Sequence, residues 1–82
     1  MTPQAVAALI KQSLADAVVD VRSPDNVHFE AVVISGEFAG KRPIARHQLV
    51  YRALGDLVGG EIHALSIDAL TPDEARAAGR GA

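Results

Sequence analysis

Two runs rich in β-branched residues, split by one turn cluster, constrain this chain more than any other feature. Val18-Val19-Asp20-Val21-Arg22 reads as a strand and residues 28–34 as a second, with Ser23-Pro24-Asp25-Asn26 between them. Pro and Asx residues favour turn conformations, so the pair predicts an antiparallel hairpin. In the second strand, alternation places Phe29, Ala31 and Val33 on one face and His28, Glu30, Val32 and Ile34 on the other.

Helical periodicity brackets this hairpin. Thr2 before Pro3 is an N-cap and first helical position, and Val6, Leu9, Ile10 and Leu14 recur at helical spacing to about residue 16. A glycine-bounded loop, Ser35 to Lys41, leads to a helix that Pro43 can start and whose apolar stripe is Val50, Tyr51, Leu54, Leu57 and Val58. Gly59-Gly60 is the expected stop, because glycine accepts the left-handed conformation common past a helix end. Residues 61–67 predict a third strand, largely buried because both of its faces carry apolar residues. Thr71 with Glu74 three positions on is a capping box, opening a short last helix that runs into Gly79, with 76–82 expected as a frayed tail. The order is α-β-β-α-β-α. It predicts an α+β sandwich in one domain over residues 1–82, a three-stranded sheet with helices on one face. The long crossover allows strands two and three to run parallel.

Composition sets what such a domain can do. A chain of 82 residues buries only about 60% of its unfolded surface, and the three aromatic residues leave the core to Val, Leu, Ile and Ala. There is no cysteine, which excludes a disulfide framework, a thiolate metal site and a cysteine nucleophile. Net charge is −2, so the molecule as a whole has no bulk attraction to nucleic acid or anionic membrane. No apolar run approaches the roughly 20 residues that span a bilayer, and the N-terminus lacks a secretory pattern. The expected location is the cytoplasm, with no membrane partner.

Four motifs then arrive in order: Phe38-Ala39-Gly40-Lys41; Arg46-His47-Gln48-Leu49-Val50-Tyr51-Arg52-Ala53-Leu54; Ile62-His63-Ala64-Leu65-Ser66-Ile67; and Thr71-Pro72-Asp73-Glu74. Together with the His28-Phe29 strand they resemble the signature of the BolA family across essentially the whole chain. The resemblance implies an αββαβα fold similar to the class II KH fold. It also implies a non-enzymatic partner of monothiol glutaredoxins, in apo complexes and in complexes bridged by a 2Fe–2S cluster, with roles in iron–sulfur handling and stress response. Some members are described as transcriptional regulators. The cysteine-free sequence and short hairpin turn look closest to the histidine-type, acid-stress-associated (IbaG-like) branch. Two departures stand out. Ala75 occupies a position where the family often has Trp, which weakens the expected anchoring of the last helix. Many members also carry a longer first loop with a Cys or His ligand, whereas here only His28, at the end of that loop, could serve.

The three histidines divide accordingly. From periodicity His63 shares a face with Leu65 and Ile67, which reads as a buried, hydrogen-bonded core residue; by the resemblance it matches the family's cluster-ligand histidine. Neutral imidazole suits iron. One histidine cannot hold a cluster, so the resemblance implies that thiolates come from the glutaredoxin and its glutathione, and that the isolated chain carries none. His28 reads either as the second ligand or as an exposed strand-end residue. His47, near the start of the middle helix, is better explained by packing or capping.

Residues 41–52 hold Lys41, Arg42, Arg46 and Arg52 and no acid, half of the chain's eight cations. Beside a helix N-terminus this segment could meet nucleic-acid phosphate, a glutathione carboxylate or an acidic protein patch, or be an ordinary solvated face. A KH-like DNA-binding regulator is therefore the alternative reading. Against it, Gly36-Glu37-Phe38-Ala39-Gly40 has three residues between its glycines, one of them acidic, unlike the GXXG loop that clamps RNA backbone. An enzyme is not expected: the serines lack a nearby His–acid pattern, and no phosphate-binding loop or His-Glu-x-x-His motif occurs. A monomer or weak homodimer is expected.

Overall fold

A computed structural model describes residues 1–79. Helix α1 spans Pro3–Ser13, and the hairpin strands β1 and β2 span Val18–Arg22 and His28–Ile34. Helix α2 spans Pro43–Leu54, strand β3 Ala64–Leu70 and helix α3 Pro72–Ala77. Short 3-10 turns cover Gly36–Phe38 and Gly55–Leu57.

The sheet order is β1-β2-β3, with β2 in the centre. β1 and β2 pair antiparallel, Val18 opposite Ile34 and Arg22 opposite Glu30. β2 and β3 pair parallel, His28 opposite Ala64 and Ile34 opposite Leu70. As the alternation predicts, Phe29, Ala31 and Val33 are buried, and they meet Val6, Ile10 and Leu14 from the first helix segment and Val50 and Leu54 from α2 in one core. Phe38 and Ile62, both fully buried, complete it from the connections. Ile34 departs from the pattern: on the opposite face it is only 7% exposed, because the register sets it between Val18 and Leu70 on the neighbouring strands.

Three boundaries differ from the sequence expectation, each for a local reason. α1 ends at Ser13 rather than residue 16, with Leu14 turned into the core. Asp16 instead ties down the loop that follows β2, its carboxylate accepting from the Ser35 hydroxyl at 2.7 Å and the Gly36 N–H at 2.8 Å. Those bonds, the Ser35 hydroxyl foremost, hold its carboxyl below the ordinary range. α2 stops at Leu54, because Gly55 takes φ +57°, and Tyr51 lies outside the apolar stripe at 40% exposed. Gly59 and Gly60 therefore do not end the helix; they form a tight loop, Gly59 at φ +93°, between Val58 and Ile62, which form an isolated parallel β-bridge.

β3 consequently starts at Ala64, three residues later than expected. It is not largely buried: it is an edge strand whose Ala64 and Ser66 are exposed, and only Ala69 is buried. α3 is anchored without Trp. Ala75 is buried, Thr71 and Glu74 form both bonds of the capping box, and Arg46 reaches across from α2 to Glu74. Of the expected frayed tail, Arg76 and Ala77 are helical and Gly79 closes the helix at φ +74°; residues 80–82 lie outside the described residues. Among the described residues no helix is long and apolar enough to cross a membrane.

Candidate functional site: the two-histidine edge

The five residues between β1 and β2 form a turn organised by two small polar side chains. The Asp25 Oδ1 accepts from the backbone N–H of Val27 at 3.0 Å and of His28 at 2.8 Å. The Ser23 hydroxyl donates to the His28 carbonyl at 2.6 Å and accepts from the Asn26 N–H at 2.8 Å. Asn26 takes φ +59°, a conformation that Asn tolerates better than most residues. Side chains thus satisfy the backbone groups that the hairpin ladder leaves open.

This turn delivers His28 as the first residue of β2, with its side chain 57% exposed. The second carboxylate oxygen of Asp25, Oδ2, lies 2.7 Å from the His28 Nδ1. The His28 N–H first, then its ring and the Val27 N–H, hold the Asp25 carboxyl well below the usual carboxylate range.

The same turn positions His63. The Val27 carbonyl accepts from the His63 N–H at 2.9 Å, one step ahead of the parallel β2–β3 register. His63 therefore lies just outside β3 and is exposed. The reading as a buried core histidine is overturned, because the strand begins after it and periodicity within the strand no longer applies. The His28 and His63 rings face each other edge-on, centroids 5.6 Å apart and planes at 78°. Residues 35 positions apart in the chain thus present two imidazoles at one exposed corner of the sheet. Beside it, an open groove of about 610 Å³ reaches across all three strands and is lined in part by Arg22, Ser23, His28, Glu30 and Ser66.

Two imidazoles at this spacing offer nitrogen donors that suit iron. They do not complete a site: no group of three or more His, Asp or Glu that could hold a metal ion occurs among the described residues, and the chain has no cysteine. The donor set fits a cluster only as a contributor, with thiolates supplied by another molecule.

The comparison with family models decides the lineage: the model described as BolA-like protein matches residues 2–74. The chain belongs to the BolA-like family. Its sequence is 35% identical to BolA-like protein 1 of Mus musculus over 81 residues, which cover 88% of this chain and 59% of that one. Over 47 residues it is 49% identical to the DNA-binding transcriptional regulator BolA of Vibrio cholerae, covering 57% of this chain and 44% of that protein. The chain thus spans about three-fifths or less of the length of these relatives. Among solved structures, a BolA homologue from Coxiella burnetii superposes with a TM-score of 0.83 at 39% identity, covering 93% of this chain and 97% of that one.

In this BolA-like chain the basic segment does not form one patch. Lys41, Arg42 and Arg52 are exposed, but the Arg46 side chain is only 12% exposed. Its Nε donates to the Lys41 carbonyl at 2.8 Å, Nη1 to the Ala69 carbonyl at 3.1 Å, and Nη1 and Nη2 to Glu74 at 2.6 and 3.3 Å. A guanidinium committed to four acceptors is a tertiary clasp, and Arg46 is withdrawn from the anion-binding set. Ile44, 69% exposed, lies on the same helix start as Arg42. His47 is half-buried one turn into α2. Sequence reasoning missed both Asp25, read only as a turn former, and the clasp. The Asp three residues before a strand-initial His was a usable signal for the first. Nothing local signals the second, since Arg46 and Glu74 are 28 residues apart.

Proposed function

We propose that this chain is a non-enzymatic partner of a monothiol glutaredoxin, supplying His63 and His28 to a 2Fe–2S cluster completed by the glutaredoxin and glutathione. The observation that carries this reading is the pairing of two exposed imidazoles at one corner of the sheet. The BolA signature in the sequence supplies the partner class. Bound in this way, imidazole in place of thiolate on one iron raises the potential of a 2Fe–2S centre. The chain itself presents His28 at the end of a hydrogen-bonded turn and His63 on a backbone bond to that turn, so little ordering is required when the partner docks.

Anaerobic titration into cluster-loaded monothiol glutaredoxin, read by visible circular dichroism, tests this. A new spectrum saturating at a defined stoichiometry is expected, changed by His63→Ala and by His28→Ala. A spectrum that stays that of the glutaredoxin alone, with no complex by gel filtration, removes the proposal. The site of expected action is the cytoplasm, in iron–sulfur trafficking and acid-stress response.

The Vibrio cholerae relative's description as a DNA-binding transcriptional regulator favours a second reading. Here the contacts fall to Lys41, Arg42 and Arg52, since Arg46 is committed internally. Three phosphate contacts give a log–log salt slope of only about −2.7. Charge reversal at Lys41, Arg42 and Arg52 together, which leaves the clasp intact, should abolish any DNA retention, and His63→Ala should not. DNA affinity indifferent to that reversal sinks this second reading.

A further inference from the structure

The His28 imidazole has two nitrogens that are not equivalent in this fold. Nδ1 sits 2.7 Å from Asp25 Oδ2, and that carboxylate is itself pinned through Oδ1 by the backbone N–H groups of Val27 and His28. An ionised carboxylate can only accept hydrogen bonds, so the nitrogen facing it must carry the proton. The second nitrogen, Nε2, then holds the lone pair. A neutral imidazole without such a partner favours the opposite arrangement, with the proton on Nε2.

We propose that Asp25 is a positioning residue: it holds the His28 proton on Nδ1, fixes the ring plane, and presents the Nε2 lone pair as the outward donor atom. Paired carboxylate–histidine geometry has this effect wherever a histidine ligates a metal. The turn is built to keep the pairing rigid, because the Ser23 hydroxyl fixes the His28 carbonyl at 2.6 Å while Asp25 fixes its N–H. That Nε2 is the atom offered to a cluster rests on the reading of His28 as a ligand given above. The tautomer itself does not.

The test is long-range proton–nitrogen correlation NMR on the ¹⁵N-labelled, metal-free protein in alkaline buffer, which reports which ring nitrogen is protonated. The unaltered chain is expected to show Nδ1 protonated and Nε2 bare in His28. Asp25→Asn keeps an amide oxygen for the Val27 and His28 N–H groups but turns a donor toward Nδ1. The ratio of Nδ1–H to Nε2–H tautomers should then fall roughly tenfold or more. Asp25→Ala, which removes the acceptor altogether, should also move the proton toward Nε2. Unchanged amide shifts outside residues 23–28 verify the fold in both variants. A proton on Nε2 in the unaltered chain, or a tautomer unmoved by both variants, overturns the assignment. Visible circular dichroism of the glutaredoxin-bridged cluster separates the two ideas. If His28→Ala leaves that spectrum unchanged, the ligand reading of His28 fails while the NMR result still decides the role of Asp25. If His28→Ala alters it and Asp25→Asn inverts the tautomer of the metal-free chain without altering it, Asp25 does not govern how His28 meets the cluster.

Discussion

Arg46 shows how far one side chain can be from its sequence-level role. On a cationic segment it is one of four candidate anion binders; in the fold its guanidinium ties the Lys41 carbonyl, the end of β3 and α3 together. Replacing it leaves the Ala69 and Lys41 carbonyls without their donor. Arg46→Ala is therefore expected to lower the thermal midpoint by roughly 5–10 °C, measured by circular dichroism, and Arg46→Lys to recover only part of that because it lacks the planar fork. An unchanged midpoint would show the clasp to be ornamental. The Arg46 guanidinium first, then the Thr71 N–H, hold the Glu74 carboxyl at about 2, against an ordinary 4.5. A carboxylate with a depressed folded-state pKa contributes stability that is present above the unfolded value. That contribution is lost as pH falls from 4.5 toward about 2. Glu74→Gln should flatten the stability-versus-pH curve in that window; a curve equally steep in the variant contradicts the assignment.

At the scale of elements, the fold depends on where helices and strands stop. α2 ends because Gly55 occupies φ +57° and ψ −133°, a region nearly reserved for glycine. A Cβ there would meet no atom within 4 Å, so the cost of Gly55→Ala is backbone strain alone, about 1–3 kcal/mol in chemical denaturation. A neutral result would mean that the connection relaxes to another conformation. Phe38, in the 3-10 turn between β2 and α2, is fully buried in the core; Phe38→Ala should cost about 3–5 kcal/mol. The order of elements and the capping box at Thr71 were legible because they are local: each depends on neighbours within a few residues. The stop of α2 and the start of β3 were misplaced because Gly55 and Gly59-Gly60 compete for the same role. The fully buried Ile62 settles the competition by drawing residues 58–62 into a tight loop closed by a parallel bridge.

For the whole molecule, the central position of β2 sets the hierarchy of stability. β2 is hydrogen-bonded on both sides and carries Phe29, Ala31 and Val33 into the core, whereas β1 and β3 are edges. Native-state hydrogen exchange should find the amides of residues 29–33 slowest, opening only with global unfolding, and those of β1 faster. Equal protection across the three strands would contradict this ordering. The amino-acid sequence by itself determined the αββαβα order, the hairpin turn and the inward face of β2. These follow from periodicities and turn chemistry that act over a few residues. It also narrowed the candidate donors to the histidines, since the chain has no thiol. Only the tertiary structure decided that His63 is exposed, that it stands beside His28, and that Arg46 turns inward to Glu74. Each of those outcomes depends on strand pairing or helix contacts between residues about 28 or 35 positions apart, which no local pattern encodes.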